Sequence, residues 1–579
     1  MIGSRPLHPT STLRLHRTLG VFGLCALLWA SIPPVALAHG APQKDGAVTL
    51  IDLPDPETMT LLRSHFDVWG PRRDAGQLVL WADAAERQRL EALGLAVTVD
   101  HEATAALLAP RPAQRGGGIP GFSCYRTVPE TFASLAQLAV DHPGVAEWVD
   151  IGDSWEKIHG PGAGFDIHAL VLTNESLPGP KPPLMVMSAM HAREYATAEL
   201  ATRFAEGLAT GYGTDPEATW VLDHHEVHIV PQLNPDGRTE AEGGAFWRKN
   251  VNNDHCSNSS SRGIDLNRNS SFLWNEGTGG ASSGSSCSEV YRGPSAGSEP
   301  ETQALEAYMA QVFADQRGEL ITDAAPATAE GIFISIHSFG ELVLLPWEAT
   351  ATNSPNHTAM QTLGRKFGFY TGHSVCVDCL GTADGTSVDQ AYGEYGVASY
   401  TFEIGTAFFQ DCDAFNASIL PDNLDALRFA AKSARRPYQD PGGPEVLNAA
   451  LDSTSVGAGT AVTLTATADD SRFASGGFGT EPTQTVAAAY ASFDEPPWDA
   501  SAPIALTAVD GAFDGGSEAI TGSLDTTGLP GGRHLVYVWA EDSQGQRGVP
   551  TAVFLDIEGA FFEDGFEGGD TSAWLAVGE

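Results

Sequence analysis

Positive charge is what this 579-residue chain has least of, with 32 Lys and Arg against 73 Asp and Glu and a formal net charge of -41. Nucleic acid and anionic membrane surfaces would be repelled by that balance, so neither is expected as a partner. Long apolar runs are also missing beyond the first forty positions, and the mature chain is not expected to span a membrane. No internal repeat is evident. Cysteine is sparse: of seven, Cys25 falls in the N-terminal apolar stretch, which leaves Cys124, Cys256, Cys287, Cys376, Cys379 and Cys412. Six thiols allow 15 pairings, and spacing fixes none of them. Cys376-x-x-Cys379 has no second Cys-x-x-Cys to complete a zinc site, so a local disulfide is the simpler reading.

What is present divides the chain. Residues 1–38 carry Arg5, Arg14 and Arg17 before an apolar run, which Pro33 and Pro34 interrupt and a small-residue "ALA" closes at Ala38. This is the layout of a cleaved secretory signal peptide, so an extracellular or periplasmic location is expected. Residues 39–118 read as a small α+β unit, strand, helix, strand, helix, strand, with "GQLVLWA" and "LAVTVD" the clearest strands. It ends in "LAPRPAQRGGGIPG", the composition of an exposed linker. Residues 119–437 alternate strands such as "PPLMVMSA", "EVHIVPQL", "GIFISIHS" and "ASYTFEI" with helices such as "TAELATRFAEGLA", which predicts an α/β domain. Residues 438–558 show period-two strands between Gly, Asp, Ser and Pro clusters, the pattern of an immunoglobulin-like β-sandwich. Residues 559–579 form an acidic, Gly-rich tail. From Asp440 onward three Lys or Arg face twenty-two Asp or Glu. No aromatic platform stands out there, and the β-domain is assigned no ligand.

The chemistry gathers at predicted strand ends, where open α/β sheets place ligands. His191 and Glu194 follow the strand "LMVMSA", His337 ends "GIFISIH" and Glu403 ends "ASYTFE". Two histidines and a glutamate form one known catalytic zinc set. A lone His-x-x-Glu is common by chance, but coincidence is harder to hold across three strand ends.

The motifs "MHAREYATAE", "NPDGR", "FWRKN", "GIDLNRN", "CSEVYRGPSAGSEPET", "ISIHSFGELVLLPW" and "GTSVDQAYGEYGVASYTFEI" resemble, in order, the signatures of zinc metallocarboxypeptidases related to pancreatic carboxypeptidase A. The resemblance covers about Phe122 to Arg436 and extends to secreted bacterial-type members with a pro-region and a C-terminal β-domain. It implies a mixed, twisted sheet flanked by helices, with residues 39–118 as the pro-region of a zymogen. It implies one Zn²⁺ held by His191, Glu194 and His337, with Glu403 as general base and Arg248 steadying the oxyanion. Asn267 and Arg268 would grip the substrate's terminal carboxylate, Arg193 would be a secondary contact, and Cys256 and Cys287 would pair. The implied reaction is hydrolysis of the C-terminal peptide bond of peptides or proteins. Arg248 cannot deprotonate, and Arg268 offers a planar fork that selects a free chain end.

Two further expectations concern the substrate. Family members carry a mobile tyrosine 22 residues before the base, and here that position is Gly381, so closure of the site is expected to differ. Val388, two residues before "QAYG", corresponds to the floor of the pocket for the departing side chain, which predicts apolar or aromatic C-terminal residues. The alternatives are an amidase acting on cell-wall stem peptides and a non-catalytic binding protein on the same scaffold.

Overall fold

Eight strands form the central sheet, in the order Ser374–Cys376, Leu342–Leu344, Ala398–Glu403, Ile332–His337, Pro183–Met187, Glu226–Val230, Asp166–Leu172, Ala146–Asp153. The four middle strands run parallel to one another, and Leu342–Leu344, Asp166–Leu172 and Ala146–Asp153 each join by antiparallel pairing. Strands buried on both faces read as continuous apolar runs, and "IFISIH" is buried throughout. The pleat sorts its residues: Leu184, Val186, Ile332, Ile334 and Ile336 enter one core cluster, while Met185, Met187 and Phe333 enter a second on the opposite face. Helices cover both faces. Val128–Asp141 opens with a capping box between Thr127 and Glu130, and Tyr195–Gly211 buries Leu200, Phe204 and Leu208 along one stripe.

The computed structural model describes residues 46–558 apart from 74, 110–116, 161–163, 278–280, 351 and 478. The expected signal peptide (1–38), residues 110–116 of the linker and the tail (559–579) lie outside the described residues. Among the described residues no helix is long and apolar enough to cross a membrane.

The N-terminal unit is a four-stranded sheet in the order Asp67–Arg72, Gln77–Ala82, Ala47–Asp52, Thr98–Val99, with helices Pro56–His65, Ala84–Ala92 and His101–Leu108. It departs from the sequence reading in three places, the first being the additional helix His101–Leu108. "FDVWGPRR" supplies an additional strand, hidden by Gly70 and Pro71, and "LAVTVD" contributes only the two-residue strand Thr98–Val99.

Beyond Tyr438 the chain forms two further sheets of four and five strands, whose inward residues Leu464, Ile520, Val486, Val538 and Leu555 share one cluster. This region is continuous with the central domain: Tyr537, Trp539, Val549 and Ala552 belong to the same buried cluster as the sheet's apolar face. Val375, on the outermost strand of the eight-stranded sheet, donates its N–H to the Gly476 carbonyl at 3.3 Å. Lys366, fully buried, pairs with Glu445 at 3.0 Å. The same carboxylate accepts from the Tyr370 hydroxyl and lies 3.4 Å from Arg472 Nε.

Removing Glu445 strands a buried ammonium, and losing one partner of a buried pair costs about 3–5 kcal/mol. Glu445→Ala is therefore expected to lower stability by that amount in urea unfolding followed by fluorescence, and a loss near zero would contradict the burial of Lys366.

Candidate active site

Strand Pro183–Met187 leads through a short turn to His191, and Glu194 is the N-cap residue of helix Tyr195–Gly211. His337 is the last residue of its strand and Glu403 the last of the neighbouring one; the parallel register sets the two side by side. Backbone pairing alone thus brings the third ligand candidate against the base candidate.

His191 Nδ1 lies 2.8 Å from Glu194 Oε1 and 3.0 Å from His337 Nδ1, while His337 Nδ1 lies 3.2 Å from Glu194 Oε2. These ligand atoms all fall within 4.8 Å of one another, and all three residues are buried. The far ring nitrogens are also engaged, His191 Nε2 with Asp265 Oδ1 at 3.1 Å and His337 Nε2 with the Ser335 hydroxyl at 2.8 Å. A histidine that donates through Nε2 presents a bare lone pair at Nδ1, as a metal ligand must. Burial, then Arg248, pushes the His191 pKa down. Burial opposes ionisation of Glu194, yet His191 and His337 hold its carboxyl far below the usual range. Burial would likewise lower His337, but Glu194 raises it. A buried carboxylate between two imidazoles demands positive charge at their centre, and two nitrogens with one carboxylate oxygen suit zinc.

Asp265 is the residue that sequence reasoning quoted but gave no role. Fully buried, it accepts from His191 Nε2 and the Asn267 backbone N–H at Oδ1, and from Arg248 Nε and Nη2 at 3.2 and 3.0 Å at Oδ2. Burial works against its charge, but Arg248 and His191 hold its carboxyl well below the ordinary range. The signal that could have revealed it is general: a ligating histidine needs a partner for its second nitrogen, commonly a carboxylate.

Arg248, Asn267, Arg268 and Glu403 line one cavity with His191, Glu194, Leu344, Glu348, Val377, Leu380, Ala383 and Thr401. Arg248 Nη1 comes within 4.0 Å of Glu194 Oε1. Arg268 is fixed by donation from Nε to the Ala281 carbonyl at 2.9 Å and from Nη1 to the Asn267 carbonyl at 2.6 Å. Asn267 Oδ1 accepts from the Ser387 N–H at 3.1 Å. Burial pushes the Glu403 carboxyl up to about 7, against the pull of His337. That range suits a group that exchanges protons near neutrality.

Two expected site residues lie elsewhere. Val388 is fully buried in the core cluster with Met187, Leu305 and Phe333 and is not among the residues that line this cavity. Helix Ser387–Tyr395 turns this position into the sheet's packing, a placement that one sequence does not reveal. Arg193 is also outside the cavity. Its Nη2 pairs with Asp67 Oδ1 of the N-terminal unit at 3.2 Å, and its guanidinium is 4.2 Å from the Phe408 ring centre.

That contact is part of a larger one. Arg63, on helix Pro56–His65, reaches into the cavity and donates to the Leu380 carbonyl at 2.8 Å. Trp69 packs 4.7 Å from Phe246 and 5.7 Å from Phe408. Gly381, where the tyrosine was missing, has φ of 74°, and a Cβ there would come 2.4 Å from Thr60 Oγ1. The bare backbone at 381 is the seat on which the helix rests. Disulfides join Cys256 to Cys287, Cys376 to Cys379 and Cys124 to Cys412. The second closes a tight loop that carries Val377 at the cavity wall.

Residues 131–414 match the family model described as zinc carboxypeptidase. Zinc carboxypeptidase A 1 of Anopheles gambiae is 29% identical over 350 residues, 56% of this chain and 72% of its own length. Carboxypeptidase A2 of Rattus norvegicus is 29% identical over 310 residues, 51% of this chain and 66% of its own. The structure of carboxypeptidase A from Helicoverpa armigera shares the fold, with a TM-score of 0.54 at 23% identity over 68% of this chain and 97% of that one.

The contacts of Asp265 generate a test. Asp265→Asn retains the shape but loses the charge that orients His191, and loss of such a partner costs about 10- to 100-fold in metal affinity. Competition with a chelator dye measures it; an unchanged zinc affinity would remove Asp265 from the metal site.

Proposed function

The chain belongs, through residues 131–414, to the zinc carboxypeptidase family, and on that premise we propose that it removes single residues from the C-termini of peptides and proteins. The observation that carries this reading is one cavity lined by His191 and Glu194, whose cluster His337 completes, by a buried Glu403 poised near neutrality and by the cations Arg248 and Arg268. Zinc at the three ligands would supply a Lewis acid for the scissile carbonyl and lower the pKa of a water to about 7. Glu403 takes a proton from the attacking water and delivers it to the departing amine. Arg248, held by Asp265, keeps a fixed positive charge where the oxyanion develops, and fixed charge needs no reorganisation at the moment of reaction. Arg268 and Asn267 bind the terminal carboxylate, which restricts attack to a free chain end.

Residues 39–118 act as a pro-region. Arg63 occupies the cavity and Asp67 covers Arg193, which supports a block that lasts until the linker is cut. Six paired cysteines support an oxidising destination and thus export. Residues 438–558 form an accessory β-domain.

Two outcomes are expected. Glu403→Gln keeps its zinc, because Glu403 is not a ligand, but turns over peptide ~10²- to 10⁴-fold more slowly, as loss of an acid-base group does; metal analysis beside peptide mass spectrometry checks both, and near-normal turnover removes Glu403 from the mechanism. The full chain cut within Arg111–Arg115 outpaces the uncut chain on the same peptides, and equal rates would leave the N-terminal unit without an inhibitory role.

A further inference from the structure

Two carboxyl groups lie deep in the catalytic domain without a cation. Glu299, the N-cap residue of helix Pro300–Val312, is 1% exposed, and Glu301, in the first turn, is fully buried. Both accept from a single nitrogen, Asn250 Nδ2, at 2.8 Å to Glu299 Oε2 and 3.1 Å to Glu301 Oε2. Asn252 Nδ2 donates to the same Glu299 oxygen at 2.9 Å, and the Trp155 N–H donates to Glu301 Oε1 at 2.8 Å. The two amides are held in this sense, because Asn250 Oδ1 accepts from the Ile264 N–H at 2.8 Å and Asn252 Oδ1 from the Asp254 N–H at 2.9 Å. Among the described residues no Lys, Arg or His lies within ion-pair distance of either carboxyl. Two like charges sharing one amide in a dry site repel, and nothing there repays their desolvation. Burial, and then the charge of Glu299, push the Glu301 carboxyl up to about 8, so it keeps its proton at neutrality.

The amide that holds the pair belongs to the segment that carries Arg248. The Arg248 carbonyl accepts from the Ala192 N–H at 3.0 Å, the Asn250 N–H donates to the Ile264 carbonyl at 3.1 Å, and the Gly263 N–H donates to the Asn252 carbonyl at 2.8 Å. Residues 248–252 thus bridge the turn after strand Pro183–Met187 and the stretch that leads to Asp265. We propose that Glu299 and Glu301 are positioning residues for Arg248: the one proton they retain keeps Asn250 seated, and its loss, which puts two charges on one amide, shifts residues 248–252 and takes Arg248 out of line with the reacting carbonyl. This inference rests on the carboxypeptidase reading above. The neighbouring elements offer the second charge no cation. Helix Trp155–His159, whose first N–H groups meet Glu301 and Asp236, brings a carboxyl that burial pushes up to about 6. Strand Ala146–Asp153, whose Gly152 packs on Ala304, carries Glu147, Asp150 and Asp153, and the Tyr291 hydroxyl is raised by burial and by Glu299. Arg248 is taken by Asp265, and Lys249 by the Ser261 and Ser288 carbonyls at 2.7 and 2.8 Å. Burial pushes the Lys249 ammonium down to about 8, into the same range, so the carboxyls themselves are what the test must alter.

The test follows kcat from pH 7 to pH 9.5 for the full chain cut within Arg111–Arg115 and loaded with zinc. The unaltered chain is expected to lose at least about tenfold over that range, as a group of pKa about 8 gives up its proton. Glu301→Gln has the shape of the protonated carboxyl and no proton to lose, so its rate changes by less than about threefold; Glu299→Gln behaves alike, because the second charge no longer arises. A role in packing alone would leave the three profiles parallel. Urea unfolding reads the same proton without turnover. A carboxyl that titrates at about 8 when folded and about 4.3 when unfolded contributes stability that is whole below pH 4.3 and is lost as the pH rises to 8. The unfolding midpoint of Glu301→Gln is therefore expected to gain on that of the unaltered chain between pH 5 and pH 8. Parallel rate profiles, or a midpoint gap that stays constant, overturn the inference and leave the carboxypeptidase reading standing. An unaltered chain that cleaves no peptide overturns that reading itself, and with it the role given to Arg248.

Discussion

Everything at the site hangs on a single buried carboxylate. Asp265 accepts from both a ligand candidate, His191, and the principal cation, Arg248, and also caps the short helix Leu266–Arg268 that carries Asn267 and Arg268. A charge so deep would be intolerable alone. Its four donors make it the rigid centre from which two sets of side chains are aimed in different directions, one at the ligand cluster and one at the cavity. The sheet supplies the other half of the geometry, because parallel register places His337 beside Glu403 without any side-chain contact being required.

The N-terminal unit meets this site with complementary charge and shape. Asp67 neutralises Arg193, Trp69 fills the space between Phe246 and Phe408, and Arg63 projects past Leu380. Gly381 connects two facts that looked separate. The side chain missing from the rim and the helix that leans on the rim are one feature, since any Cβ at that position would strike Thr60.

Much of this was readable in the sequence. The four strands quoted for the central domain are present, since they are apolar and bounded by turns, and His191, Glu194, His337 and Glu403 stood out because they end or closely follow such runs. Three-residue strands such as Leu342–Leu344 carry too little periodicity to be seen, and the strand Asp67–Arg72 was masked by Gly70 and Pro71. Asp265 escaped because a supporting carboxylate has no spacing relative to the ligand it orients; His191 and Asp265 are 74 positions apart. Val388 was expected at a pocket floor and packs among Met187, Leu305 and Phe333. Which face of a helix meets a sheet and which meets a cavity depends on how the helix is rotated, and hydrophobic character alone does not set that rotation.

The Gly476 carbonyl that accepts the Val375 N–H also bears on the fate of a sheet edge. Ser374–Cys376 is the last strand of the eight-stranded sheet, and an uncovered outer strand is a template on which a second chain can pair. The backbone bridge between Val375 and Gly477 occupies that template with a segment of the same chain. Gly477 permits the approach, for a side chain there would collide with the Val375 carbonyl at 2.0 Å. The C-terminal region thus works as an edge guard, and a chain ending near Tyr438 would expose an adhesive strand beside the rim of its own cavity.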